Sequence, residues 1–180
     1  MLAQVANILQ FLGPRLGLVP EDEASRIAVN QLQLTVADLV GEVHDTHHPI
    51  DTGAYYEDQK PEAKRRAAAF VEQRLPKFLG YFEDVLKRNE QGGGQYLVGG
   101  GLTYVDLSMF QVMSGLEYAF PNGLARAAKK TPLLLALKGR VAGRPRIAAY
   151  LASERRIPFN ESGIFRRYPE LDAEPADAAK

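Results

Sequence analysis

The sequence contains no cysteine. That excludes disulfides, thiolate metal sites and a cysteine nucleophile, and it fits a chain of the cytoplasm. Charge of one sign is not in excess either. Lysine and arginine number 22 and aspartate and glutamate number 22, giving a formal net charge of +0. Such a balance supplies no bulk attraction to nucleic acid or to an anionic membrane surface, so neither is expected as a partner. No stretch is long and apolar enough to span a bilayer. Residues 1–18 are fairly apolar but lack a basic leading region, and Gln4, Asn7 and Gln10 interrupt them, so they do not read as a secretion signal. Strand-like alternation and internal repeats are absent from the pattern.

What the chain does have is helical spacing. Its 180 residues, 46% of them hydrophobic, suffice for one domain or for one domain plus a fragment of another. Leu2, Val5, Leu9 and Leu12 predict a helix over 3–12, stopped by Gly13 and Pro14. A connector runs to Pro20, and a long helix is predicted over 21–47. Glu21, Asp22 and Glu23 suit its positive N-terminal end. Leu32, Val36, Leu39, Val40 and Val43 form its apolar stripe. Ile27, Gln31, Leu34 and Asp38 form a neighbouring, partly polar seam. The Asp38 carboxylate there reads as a solvated position, a helix–helix ion pair or a functional group.

Another long helix begins near Pro61 and keeps its period through Lys87, with Pro76 expected to kink it rather than end it. Gly92 to Gly94 read as a mobile break. The segment 103–119 is apolar on every side, the mark of a helix at the centre of a bundle. Thr103 caps it and Asp106, three residues on, can reach back to the Thr103 amide; Leu102 and Leu107 are placed to form a hydrophobic staple. Shorter helices are predicted over 122–129, 132–142 and 145–154. Residues 159–171 are expected to wrap back over the surface, and 172–180 to fray. The fold class is all-α, a helical bundle.

Few residues carry chemistry by pattern alone. The glycine clusters at Gly92 to Gly94 and Gly99 to Gly101 match neither a P-loop nor a dinucleotide fingerprint. His44, Asp45, His47, His48 and Asp51 suggest a metal cluster, with His44 and His48 four apart, but His44 has no neighbouring glutamate and Pro49 interrupts the helix. The competing reading is a polar helix end, where histidines favour the negative pole of the dipole; no metal is expected. Serines lie in no nucleophile-elbow context, and Arg155-Arg156 and Arg166-Arg167 read as surface pairs.

The segment LVGGGLTYVDLSMFQV, Leu97 to Val112, resembles the capping box of cytosolic glutathione transferases. KGRVAGRPRIAAYLASERR resembles the late helices of that family, and GIFRRYPELD the ending of one of its subgroups. The order and spacing of these motifs cover the chain from Gln4 to Asp172. QVANILQFLG resembles the last helix of the family's thioredoxin-like domain, which opens with a glutamine and a hydroxyl residue that bind the γ-glutamyl end of glutathione. Gln4 matches the glutamine; Val5 replaces the hydroxyl and cannot hydrogen-bond through its side chain.

The resemblance therefore implies four parts. They are a remnant last helix of a thioredoxin-like domain at 1–13, a linker at 14–20, a transferase-type helical domain at 21–171 and a flexible tail at 172–180. It implies glutathione as co-substrate with no permanently bound cofactor, a small apolar electrophile as the second substrate, and a homodimer. Asp38 matches a carboxylate that reaches across the family's dimer toward the partner's glutathione. His44 and His48 fall on the wall of the family's apolar substrate pocket, with Tyr55, Tyr56 and Tyr118 as further neighbours. The residue that activates the glutathione thiol lies, in the family, ahead of the point where this chain begins. No catalytic residue is therefore expected here, and the chain alone is expected to be inactive, as a truncated or mis-started frame would be. The alternative is a non-catalytic helical module used for association.

Overall fold

The computed structural model describes residues 1–172, and among these there is no strand. Eight α-helices follow one another: α1 (Val5–Arg15), α2 (Glu23–Asp45), α3 (Lys60–Ala69), α4 (Leu75–Arg88), α5 (Tyr104–Ala119), α6 (Pro121–Ala128), α7 (Pro132–Ala142) and α8 (Pro145–Leu151). Helix α5 is the centre, packing on α2, α6 and α7, while α4 packs on α6 and α7. Val105, Met109, Met113 and Leu116 of α5 belong to one buried core with Leu39 of α2 and Leu79, Phe82 and Leu86 of α4. Each such side chain contributes roughly 1.5–3 kcal/mol on burial.

Local rules explain most boundaries. Asp22 Oδ1 accepts from the Ser25 amide at 2.8 Å and opens α2. The capping box at α5 forms, and it does more than cap. Asp106 is fully buried, and its carboxylate accepts from Thr103 N at 2.7 Å, Thr103 Oγ1 at 2.7 Å and Leu97 N at 2.9 Å. Leu102 and Leu107 are both half-buried against the core.

Five expectations need correction. Helix α1 does not stop at Gly13-Pro14 but runs on to Arg15, with Pro14 inside it. The side chain that Gly13 lacks is what allows this: a Cβ there would lie 2.6 Å from the Tyr104 ring, so α1 continues where it crosses α5. Helix α2 ends at Asp45, where Thr46 Oγ1 donates to Val43 O at 2.6 Å, ahead of the residues expected to close it.

The kink expected at Pro76 is instead a π-helical turn over Phe70–Arg74, just before α4. Proline cannot donate to the carbonyl four residues back, and the wider turn relieves that missing bond. The turn's last residue, Arg74, forms a bidentate pair with Glu42 of α2 at 2.6–3.0 Å.

The glycine-rich connector is held together by Asn89, whose Nδ2 donates to Tyr96 O and Gly99 O, both at 2.8 Å. It is not a free break.

Two helix N-termini are capped from far away. Pro132 opens α7, and Glu83 of α4 accepts from Leu133 N and Leu134 N at 3.2 and 3.0 Å. Asp172 accepts from Asn122 N and Gly123 N at 2.7 and 2.8 Å and so caps α6. Asp172 is thus buried within the fold rather than the first residue of a tail; the rest of the expected tail, 173–180, lies outside the described residues.

Candidate functional site

All three histidines of the chain meet where α2 ends. The backbone turns there through Thr46, and the following loop folds around the Gln59 side chain. Gln59 Oε1 accepts from Ile50 N at 3.0 Å and its Nε2 donates to Asp51 O at 2.9 Å. The His44 and His48 rings stack with centroids 5.0 Å apart, and His47 stands edge-on to both. His47 reaches across to the C-terminal segment, where Nε2–H donates to Ile164 O at 2.8 Å. Its Nδ1 is then the acceptor, and His48 Nδ1–H donates to it.

The C-terminal segment is fastened here at further points. Phe165 seats its ring on Gly115 of α5, where any Cβ would collide with it. Tyr168 stacks on Tyr56 with centroids 3.8 Å apart, and Tyr56 OH donates to Glu170 Oε1 at 3.0 Å. Between this segment and the loop after α2 lies a polar cavity of about 470 Å³, lined by His48, Tyr55, Tyr56, Glu161, Arg166 and Tyr168 among others.

Burial sets the protonation of this cluster. It holds the His47 imidazole at a pKa of about 4 against the ordinary 6.5, with the Ile164 carbonyl opposing and Arg166, His48 and His44 reinforcing the shift. Burial also lowers His48, with Arg166 and His44 acting in the same direction and Asp51 against them. Tyr56 is pushed well above the usual phenol range by burial and by its bond to Glu170. Its proton is therefore committed to Glu170 and is not free to stabilise an anion. Among the described residues no group of three or more His, Asp or Glu is arranged to hold a metal ion.

The His47 shift has a measurable consequence. Below about pH 6.5 the unfolded chain takes up a proton that folded His47 refuses until about pH 4. Stability from this group is complete above the unfolded pKa and falls as pH drops from 6.5 to 4, by on the order of 2 kcal/mol. His47→Gln keeps a donor for Ile164 O and should flatten the acid side of a stability-versus-pH curve. Asp106, whose carboxyl burial pushes up, acts with the opposite sign but equally in both proteins. Denaturant midpoints at pH 7, 6, 5 and 4 check this; parallel curves for parent and variant would refute it.

A second and larger recess, a groove of about 780 Å³, lies between α1, α2 and α5, walled by Val5, Leu9, Val40, Leu107, Val112 and Phe165. Gln4 stands at its edge as the N-cap of α1. It is the one non-glycine residue with positive φ (68°) among the described residues, a backbone conformation that side chains disfavour.

The residues expected from sequence are therefore divided. His48, Tyr55 and Tyr56 share the polar cavity, and His44 lies behind it, stacked on His48. Gln4 belongs to the apolar groove. Tyr118 lines neither; it stacks on Phe159 in a third groove of about 510 Å³ beside α7 and α8. Asp38 is exposed on α2 and lines none of these recesses. Among the described residues it has no hydrogen-bond or ion-pair partner. Thr103 and Asp106 are structural, buried under the start of α5. The sequence reading missed Glu161, Arg166 and Tyr168 as cavity residues. It treated 159–171 as a surface wrap, and nothing local marks which of its side chains turn inward.

Comparison with known proteins gives the class. A family model described as Glutathione S-transferase, C-terminal domain, matches residues 44–154. The chain belongs to that family. It is 27% identical over 158 residues to a glutathione S-transferase of Plasmodium falciparum, covering 86% of this chain and 66% of the relative. It is 30% identical over 165 residues to glutathione S-transferase A1 of Bos taurus, covering 91% and 67%. A glutathione S-transferase of Plasmodium yoelii yoelii is 26% identical, with 64% of its length matched. The chain thus spans about two thirds of the length of these relatives.

The fold is shared with solved structures. One is the Pi-class glutathione S-transferase of Onchocerca volvulus, with TM-score 0.64, 22% identity and coverage of 83% of this chain and 64% of that one. Another is prostaglandin synthase D of Nilaparvata lugens, with TM-score 0.68, 19% identity and coverage of 87% and 70%. Among the described residues no helix is long and apolar enough to cross a membrane.

Proposed function

We propose that this chain acts as the helical domain of a glutathione transferase, with glutathione as co-substrate and a small apolar electrophile as the second substrate. In that reaction the glutathione thiolate attacks an electrophilic carbon, a carbon–sulfur bond forms and the leaving group departs with the bonding pair. The observation that carries the reading is the family match across 44–154, which includes the cavity residues His48, Tyr55 and Tyr56. These three form the electrophile wall with His44 behind them; Tyr118, in another groove, is left out of it. Gln4 and Asp38 address the γ-glutamyl end of glutathione, Asp38 across a homodimer. The exposure of Ile27 and Leu34 on the same seam of α2 as Asp38 supports a dimer face there.

No residue of this chain matches the donor that activates the thiol in the family. A free thiol with a pKa near 8.5 is mostly protonated at neutral pH and needs a donor within about 3 Å of sulfur. Tyr56 spends its proton on Glu170. An exposed Asp38 contributes at most about 1 kcal/mol to binding, whereas a millimolar site needs about 4 kcal/mol.

The 180-residue chain should therefore neither conjugate glutathione to 1-chloro-2,4-dinitrobenzene above the uncatalysed rate nor be retained on immobilised glutathione. Joining a thioredoxin-like domain of the family ahead of Met1 should bring both. In the joined protein Asp38→Ala should raise KM for glutathione while leaving the thermal midpoint unchanged. Conjugation by the short chain itself, proportional to protein and abolished by Asp38→Ala, would place the active site on the helical domain and overturn this reading.

A further inference from the structure

The residues that open α6 include a reactive pair. Of Asn7, Asn30, Asn89, Asn122 and Asn160, only Asn122 is followed by glycine. With no side chain to shield it, a glycine's backbone nitrogen can attack the asparagine amide before it. Packing demands glycine here. Gly123 is buried, and a Cβ on it would lie 2.8 Å from Val71 Cγ1 of the π-helical turn and 3.2 Å from Asp172 Oδ1. Asn122 itself is exposed to water.

Two features hold the pair unreactive. Both residues lie in α6, where a ψ of about −42° keeps the Gly123 nitrogen out of line with Asn122 Cγ. Asp172, 3% exposed, then fastens both of them. Its Oδ1 accepts from Gly123 N at 2.8 Å, its Oδ2 from Asn122 N at 2.7 Å and its backbone oxygen from Asn122 Nδ2 at 3.1 Å. A carboxylate on the Gly123 N–H opposes loss of the proton that attack requires. The bond from Nδ2 holds the leaving nitrogen in place.

We propose that Asn122 is a site of slow self-modification that Asp172 keeps latched, and that the reaction releases the C-terminal segment. When the start of α6 opens, Gly123 N attacks Asn122 Cγ, and the new C–N bond closes a succinimide ring. The Cγ–Nδ2 bond breaks, and Nδ2 leaves as ammonia with the proton that Gly123 gives up. Water then opens the ring and leaves aspartate or isoaspartate at 122. Neither product can restore the bond that Asn122 Nδ2 donates to Asp172 O, and each sets a second carboxylate beside that of Asp172. Asp172 is thereby released, and with it the end of the segment whose Arg166 and Tyr168 line the polar cavity. The inference does not rest on the transferase reading, because its test uses neither glutathione nor turnover.

Incubation of the 180-residue chain at pH 8, followed by peptide mapping, reads the conversion at position 122, with Asn122→Gln as the unreactive blank. Unfolded in urea, the parent chain should convert at least about tenfold faster than when folded. That comparison needs no variant, and equal rates overturn the proposal. Asp172→Ala should speed conversion in the folded chain about five- to thirtyfold, the change expected of a lost cap. Glu83→Ala, which uncaps α7 instead, separates local opening from a general loss of stability. No acceleration in Asp172→Ala, or an equal one in Glu83→Ala, overturns the role of Asp172. Asn122→Asp installs one product directly. An acidic residue in the first turn of a helix ordinarily stabilises it; here it should lower the thermal midpoint and speed proteolysis within residues 159–172. A midpoint at or above the parent's, or unchanged cleavage, overturns the release.

Discussion

Replacing Asp106 by alanine should lower the stability of the fold by about 3 kcal/mol, the largest effect expected of any single truncation here. The carboxylate is fully buried and accepts from the amides of Leu97 and Thr103 and from the Thr103 hydroxyl. Alanine removes the acceptor and leaves buried donors that water cannot reach. In a chain of this length that corresponds to a fall in thermal midpoint of about 6–12 °C. Asp106→Asn should recover little, because an amide must turn its NH₂ toward one of the same donors. Thr103→Ala, losing one cap hydroxyl, should cost about 1 kcal/mol, and Ser108→Ala less than about 0.5 kcal/mol. Thermal or urea unfolding ranks the four. An Asp106→Ala curve lying on the parent's would show that the buried cap is not what holds α5 and the preceding loop in register.

Glu83→Ala should be nearly as damaging, costing about 2–3 kcal/mol. Pro132, the first residue of α7, has no amide hydrogen, so the N–H groups of Leu133 and Leu134 are the ones that need acceptors, and Glu83 supplies both. Its negative charge also faces the positive end of the α7 dipole. The side chain is 1% exposed, so truncation buries two orphan donors. Glu83→Gln keeps one good acceptor and should cost about half as much. Glu72→Ala, at an exposed position of the π-turn, serves as the control and should change stability by less than about 0.5 kcal/mol. Urea midpoints at constant slope compare them; equal midpoints for Glu83→Ala and Glu72→Ala would remove the case for a long-range cap.

These two carboxylates show where sequence reading succeeds and where it stops. Asp106 lies three residues from the cap it completes, so its role is written in the local spacing. Glu83 is fifty positions from the amides it serves, and on sequence it reads only as one more acidic residue of an amphipathic helix. Asp172 is the same case. Fifty residues from Asn122, it looks like the start of a frayed end, but its carboxylate is buried on the amides that open α6. The candidate site divides along the same line. His44 and His48 were visible as a pair because four residues bring two side chains together at a helix end. His47 could not be distinguished from them, because what sets it apart is a carbonyl 117 residues away. Tyr118 was grouped with the histidines by resemblance, and the structure assigns it to another groove.

By itself, the sequence determined the all-helical class, the apolar stripe of α2, the buried character of α5 and the local cap at Asp106. All of these depend on periodicity and hydrogen bonds that close within a turn or two of helix. The tertiary structure alone decided how the helix ends at α6 and α7 are satisfied and why α1 runs on through Pro14. It also decided which side chains share a cavity. Those outcomes depend on contacts between residues dozens of positions apart, and a linear pattern carries no record of which distant atoms packing will bring within 3 Å of one another.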